Sequence, residues 1–451
     1  MRVIALLLTA AATAVVSVSA TPYGNPIWGG KLHNAAASRN RNSTSTRTPM
    51  FKRQNSTTSS NINGNPFEGK TLLADPEWTA RLSVTRDAFL ARGDTENADK
   101  ARAVGQAGTF AWLSDISKLS HVDGLVDVAR ARNKRAAATK RQQTTTAGGG
   151  GDQIVGLVLY NIPNRDCSGT GAGELQGAEG LERYKAEYIA PLAAKLAAAA
   201  DVTFAVVVEP DALANLVTNL GVGRCAEAAA LYEEAIVHAL SSLQFDHVHL
   251  YLDAGHSGWL GSEGNLQPAA ETFARIVSRA GNGTKIRGFA TNVSNYNPFS
   301  AALPEAFAPF QSQSESESGS SSPAPSPPYD EDHYIQSLAL HLDQAGLPAA
   351  AAHFIVDQGR VALPGARAAW SDRCNVAPAG FGMLPGTRVR SRLVDSIAWI
   401  GAGGESDGEC GDVPGAPEAG EWFPAYVEQL VENADGSVGR AVEEAEADVE
   451  A

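Results

Sequence analysis

Seven short runs rich in Val, Ile, Leu and Phe recur between residues 62 and 435, and longer helical patterns separate most of them. The runs are TFAWLSD, IVGLVLYNI, TFAVVVEPD, HVHLYLDAG, IRGFATNVS, HFIVDQG and DSIAWIG. Between them fall stretches such as GLERYKAEYIAPLAAKLAAAA and AEAAALYEEAIVHALSSL. Strands that are apolar nearly throughout, rather than at alternate positions, are covered on both faces, as in a parallel sheet wrapped by helices. The alternation predicts an α/β fold, and about seven units favour a parallel (β/α) barrel over an open doubly wound sheet. No GxGxxG follows the first strand, which argues further against a dinucleotide-binding sheet.

Residues 1–20 read as a signal peptide. Arg2 precedes the apolar run IALLLTAAATAVV, and Val18-Ser19-Ala20 supplies the small residues of a cleavage site. The run is short for a membrane anchor, and no other segment could span a bilayer, so a secreted, extracellular protein without a membrane partner is expected. Residues 21–61 are rich in Ser, Thr and Asn and read as a disordered linker or a propeptide, with Lys52-Arg53 as a candidate processing site. The folded domain is expected over 62–435 and an acidic solvated tail over 436–451. ARNKRAAATKRQQTTTAGGGGDQ and QSQSESESGSSSPAPSPPYDED read as low-complexity surface insertions. Asn42, Asn55, Asn282 and Asn292 each begin an N-x-Ser/Thr sequon.

Four cysteines, Cys167, Cys225, Cys374 and Cys410, in an exported chain predict two disulfides, and their spacing fits no zinc motif. No cofactor and no metal are expected. The formal net charge of −14 argues against a nucleic-acid partner, which would need clustered Lys and Arg, but is indifferent to a neutral polysaccharide. No oligomer interface is legible, and a monomer is expected.

Nearly every candidate strand ends in polar residues. Tyr160 and Asp166 follow the second, Glu209 and Asp211 the third, Asp253 and His256 the fourth, Asn292 and Asn295 the fifth, and Asp357 and Arg360 the sixth. In parallel barrels the loops after the strand C-termini converge on one face, so these residues form one candidate site. Several acids accompany Trp112, Trp259, Trp370 and Trp399, with no Ser-His-Asp order and no nucleophile elbow, which points to sugar chemistry. Indoles stack on pyranose faces while carboxylates move protons. Structural readings compete at single positions. Asp211 could equally cap the helix that begins ALANLVTNL, Glu209 and Asp357 could pair with arginines at the rim, His256 fits a hydrogen-bonding pocket residue better than a general base, and Trp399 fits the core.

GLVLYNIPNRDC, VVEPDALANLVTNLG, LYLDAGHSGWLG, RGFATNVSNYNP, CNVAPAGFG and GGESDG together resemble glycoside hydrolase family 6, the inverting cellulases, from about residue 65 to about residue 430. The resemblance implies a distorted, incomplete barrel and hydrolysis of β-1,4-glucosidic bonds in cellulose or a related β-glucan. It implies that Asp211 is the general acid, that Asp166 raises its pKa, and that Tyr160 helps distort the sugar. Asp253 is implied to support the charged transition state and Asp407 to lie near the attacking water. Trp112, His256, Trp259, Asn295 and Glu405 match sugar-binding positions, and the resemblance pairs Cys167 with Cys225 and Cys374 with Cys410. Only Gly408 and Glu409 separate Asp407 from Cys410, too short a loop to cover a groove, so internal attack like that of the fungal endoglucanases is expected.

Three positions depart from the family pattern. Gly401 stands where a lysine is usual, which should deprive Asp407 of a cation and loosen binding; Arg373 and Ser262 stand where tryptophans are usual. Weak action on crystalline cellulose and a preference for soluble or mixed-linkage glucan follow as expectations. The same departures would suit a glucan-binding protein with weak or no turnover, a reading opposed by the retention of all four aspartates.

Overall fold

The computed structural model describes residues 64–142, 152–169, 173–281, 285–301, 330–367, 372–386, 389, 391–401, 403–410 and 414–450. The expectations for residues 1–20 and 21–61, for Asn42, Asn55 and Asn282, and for Trp370 lie outside these. The compact unit that holds all described residues spans 61–451.

All seven expected strands form: β2 (Phe110–Leu113), β3 (Asp152–Leu159), β4 (Thr203–Val208), β5 (Val248–Asp253), β6 (Gly288–Thr291), β7 (His353–Asp357) and β8 (Val394–Ala398). An eighth, β1 (Lys70–Leu72), was not legible because it has only three residues. Every pairing is parallel, in the order β3-β4-β5-β6-β7-β8. β1 and β2 lie in tandem on the free side of β3, the first beside Asp152–Ile154 and the second beside Gly156–Leu159. The ring stays incomplete. Among the described residues, a backbone hydrogen bond from Phe110 N to Trp399 O (3.0 Å) and one from the Trp112 indole to Ile400 O (2.7 Å) bridge β2 to the segment after β8.

Alternation within each strand explains the continuous apolar runs. Ile154, Val158, Ala205, Val207, Tyr251, Ala290, Ile355 and Ala398 fill the interior of the curled sheet. Their neighbours Val155, Leu157, Phe204, Val206, Leu250, Leu252, Phe289 and Phe354 pack outward against the helices. Toward the strand N-termini the interior is closed by a buried ion pair: Arg287 reaches Asp395 through Nε (2.7 Å) and Nη2 (2.6 Å), and the Tyr251 hydroxyl donates to the same carboxylate at 2.8 Å.

The helices are α1 (Pro76–Ala91), α2 (Thr95–Gln106), α3 (His121–Gln142), α4 (Gly177–Arg183), α5 (Ala190–Ala198), α6 (Ala212–Thr218), α7 (Gly223–Ser242), α8 (Ser257–Leu260), α9 (Glu263–Arg279), α10 (Glu331–Gln344), α11 (Pro424–Glu432) and α12 (Gly436–Glu450). A π-helical turn, Tyr184–Ile189, joins α4 to α5 and buries Tyr184 and Tyr188. No helix among the described residues is long and apolar enough to cross a membrane.

Two sequence expectations are corrected. The first low-complexity stretch is helical through Gln142, because Ala, Arg and Lys are good helix formers once α3 has been nucleated on the sheet. The second ends inside the fold: Asp330 and Glu331 are fully buried, and Asp330 caps α10 by accepting from His333 N. The acidic end is helical, as α12, and Val438 near its start is buried.

Replacing Asp395 by Ala leaves Arg287 buried without its partner. We expect a loss of about 3–5 kcal/mol of stability, read as a lowered thermal unfolding midpoint.

Candidate active site

A cleft of about 1760 Å³ crosses the C-terminal ends of the strands. Of the site residues expected from the sequence, Tyr160, Asp166, Asp211, Asp253 and Asp407 among the candidate catalytic groups, and Trp112, His256, Trp259, Asn295, Arg373 and Glu405 among the candidate binding groups, border it, as does Arg360, whereas the strand-end residues Glu209, Asn292 and Asp357 lie behind it. Disulfides join Cys167 to Cys225 (Cα–Cα 4.8 Å) and Cys374 to Cys410 (5.7 Å), the second at the cleft edge.

Asp211 precedes α6 but does not cap it, for its carboxyl makes no hydrogen bond to the helix. The residue is held at φ 67°, a left-handed conformation that a non-glycine residue adopts only under local constraint, and its side chain remains open to the cleft. Enclosure by the protein pushes its pKa up to about 6; the neighbouring negative charge of Asp166 adds to the rise and Arg373 opposes it. Asp253 lies beneath it, nearly fully buried, and its Oδ2 accepts from the backbone amides of Asp211 (2.9 Å) and Gly255 (3.2 Å). Burial first and the charge of Asp211 second raise the Asp253 pKa as well. The two amides favour the anion of Asp253 but do not offset its burial, so both carboxyls are held above the usual carboxylate range and compete for a proton.

Asp166 is also raised by burial, against the stabilising hydrogen bond from the Tyr160 hydroxyl (2.7 Å) and the nearby Arg165. Tyr160 is clamped between an edge-on Trp112 ring (centroids 5.0 Å) and the Arg165 guanidinium (4.4 Å). Across the cleft, Asp407 accepts from Arg360 Nη1 at 2.9 and 2.7 Å, from Asn375 N at 2.8 Å and from the Tyr296 hydroxyl at 3.2 Å. The expectation that Gly401 leaves Asp407 without a cation is therefore overturned: Arg360, itself buried, pairs with it.

Glu209 and Asp357 are buried, and arginines are not their hydrogen-bond partners. Glu209 takes the Tyr184 hydroxyl (2.8 Å) and the amides of Asn161 and Ile162 (both 3.1 Å). Asp357 takes amides of Gly359, Ser294, Ile400 and Gly401 at 2.7–3.2 Å. His256 meets Asn297 Nδ2 at 3.2 Å, and burial lowers its pKa to about 3, which suits a neutral hydrogen-bonding residue. The sequon residue Asn292 is fully buried and donates to Asn297 O and Asp357 O, so it has no access to a glycosylating enzyme. Trp399 is buried, as expected of a core residue.

The sequence places Arg360 at a strand end without its pairing to Asp407, and carries no role for Asn375, Tyr296 and Arg81; all four meet the cleft or its acids. Arg360 was legible as a strand-end residue of HFIVDQGR; Arg81, within α1, carried no signal.

With this geometry in place, the relationships to known proteins are decisive. Residues 67–434 match the family model described as glycosyl hydrolases family 6. The chain belongs to that family. A 1,4-beta-D-glucan cellobiohydrolase of Podospora anserina is 50% identical over 380 residues, spanning 83% of each chain. Endoglucanase-6B of Humicola insolens is 46% identical over 380 residues, covering 84% of this chain and 99% of its own. Among solved structures, an endoglucanase of Humicola insolens superposes with TM-score 0.72 at 46% identity, over 83% of this chain and all of that one. A family 6 enzyme of Coprinopsis cinerea gives TM-score 0.71 at 36% identity, over 83% and 99%. The curled, incomplete parallel barrel of this family 6 glycoside hydrolase is thus the fold of its relatives.

A Cβ at position 401 would lie 2.6 Å from Ser294 Oγ and 2.8 Å from Ser294 Cα. Introducing the family lysine as Gly401→Lys should therefore lower stability by about 1–3 kcal/mol without raising kcat/KM on cellohexaose, measured by thermal unfolding and steady-state kinetics.

Proposed function

We propose that the chain hydrolyses β-1,4-glucosidic bonds of cellulose or a related β-glucan by internal attack, with inversion of the anomeric carbon. The observation that carries the reading is the carboxyl of Asp211: it has no hydrogen-bond partner among the described residues, faces the cleft, and sits beside Asp166 and above Asp253. A carboxyl left unused by the fold, in surroundings that favour its protonated form, is suited to deliver a proton to the oxygen leaving the scissile bond. Asp166 is placed to raise its affinity for that proton and to receive one afterwards through water. Tyr160 presses the reacting sugar from below, and Trp112 and Trp259 offer ring faces to the chain.

Inversion needs a water on the opposite face of the ring and carboxyl groups about 6.5–9.5 Å apart. Asp407 borders that water's approach in this reading. Its pairing with Arg360, Asn375 N and Tyr296 fixes its orientation, as a group that must direct a water requires. Internal attack is supported by the two-residue link from Asp407 to Cys410, tethered by the disulfide to Cys374, which leaves little chain to roof the cleft. Named relatives include both cellobiohydrolases and endoglucanases, so the distinction rests on that loop. Arg373 in place of a stacking tryptophan supports a preference for soluble over crystalline glucan. The leader-like residues 1–20 support export, and 62–435 is the proposed catalytic domain.

The first product from a soluble cello-oligosaccharide should carry the α-anomer when followed by NMR; a β-anomer would sink inversion, and no product would favour a glucan-binding role. Asp211→Asn should lower kcat by about 10²–10⁴-fold while glucan binding persists. Because the acid must be protonated, kcat should decline as pH rises through about 6. Asp166→Asn removes the neighbouring charge and should move that limb to lower pH, read from the pH dependence of kcat. For internal attack, the viscosity of carboxymethylcellulose should fall well before reducing ends accumulate.

A further inference from the structure

The cleft does not end at Trp112. Arg81 of α1 lines it too, together with Lys118 and His121. Arg81 Nη1 stands 3.4 Å from Glu405 Oε1, and its guanidinium lies 5.5 Å from the centre of the Trp422 ring. The two charged side chains keep 39% and 34% of their surface exposed. An ion pair this open adds little to folding stability, so it does not explain itself as a structural brace. Its chemistry fits a ligand instead. Guanidinium offers five N–H donors, of which Glu405 takes one, and the carboxylate offers several acceptor sites. Vicinal hydroxyls of a sugar, each both donor and acceptor, match such a juxtaposition, whereas an anionic ligand would be repelled by Glu405.

The segment after β8 cannot supply a cation at this end. Ile400 O is occupied by the Trp112 indole, and residue 401 has no room for a Cβ beside Ser294. The cation comes from α1. We propose that Arg81 and Glu405, backed by Trp422, form an outer subsite for one further glucosyl unit of a glucan chain running past Trp112. The proposal rests on the glucanase reading for its ligand but not on turnover, and it adds a specificity-determining residue, Arg81, on a helix outside the strand-end loops.

The test is calorimetric binding of cellotetraose, cellopentaose and cellohexaose to Asp211→Asn protein, with and without Arg81→Met. Methionine retains an apolar stem to cover Trp422, and Arg81→Lys, which keeps the charge but not the fork, serves as the conservative comparison. In Asp211→Asn alone, affinity should increase with length. Arg81→Met should cut the gain for the longest oligosaccharide about tenfold relative to the shortest, and Arg81→Lys should restore part of it. An equal loss at all lengths, or an unchanged length dependence, overturns the subsite. Length-dependent binding that Arg81 controls, in a native chain that releases no product, overturns the catalytic reading and upholds the subsite; failure of all three oligosaccharides to bind overturns both.

Discussion

The carboxylate of Asp357 is the constraint on which one half of the cleft depends. It ends β7, is almost fully buried, and collects four backbone amides: its own loop through Gly359, the loop after β6 through Ser294, and the segment after β8 through Ile400 and Gly401. Loops that leave neighbouring strands would otherwise expose these amides in a nearly dry interior, at a cost of about 1–3 kcal/mol for each unsatisfied group. One anion removes several such costs together and locks three loops into a single body. Asn295, Arg360 and the segment leading to Asp407 inherit their positions from it. Glu209 does the same on the other side, tying the end of β4 to the Asn161–Ile162 turn and to Tyr184 of the π-helical turn.

Rigid loops permit strain, and the strain is concentrated where chemistry is proposed. Asn164, Asp166, Glu209, Asp211, Asn292, Ser294 and Asn375 all have φ between 43° and 67°, a region that side chains other than glycine occupy at a cost. Each lies in a loop at or near the cleft, and several belong to the networks of Asp357, Glu209 and Asp253. The conformation of Asp211 turns its side chain away from the capping role its sequence position suggests and toward the cleft. The Asp211 amide is meanwhile pinned by Asp253, so backbone and carboxyl are separated into anchored and available parts.

The sequence made the sheet legible because both faces of each strand are covered, leaving uninterrupted apolar runs that end in polar residues. It also made the acids legible, since strand C-termini converge whatever the spacing between them. Partnerships were less accessible. Arginine partners for Asp357 and Glu209 are one reading that composition allows, because charge pairing is the simplest inference from it, whereas the backbone amides that these acids do bind are announced by no residue type. Arg360 was visible as a strand-end residue, but its use by Asp407 depends on two loops meeting across the cleft. The same limit applied to Asn292: its sequon reads as a surface feature, and only the packing of the loop after β6 reveals that its amide group is spent on Asn297 and Asp357.

The unclosed ring explains why these parts can form a cleft at all. A fully paired barrel would continue backbone hydrogen bonding from β8 to β2 and bring their following loops close together over the interior. Here, among the described residues, the join is reduced to the Phe110–Trp399 backbone contact and the Trp112 indole on Ile400. Trp112 thereby serves two purposes: its N–H fastens the seam while its ring borders the cleft beside Tyr160. The segment leaving β8 is free to travel outward, carrying Glu405 and Asp407 to the same groove before the Cys374–Cys410 bridge ends its excursion. Among the described residues, the missing strand pairing at the seam is the structural condition that leaves room for this groove.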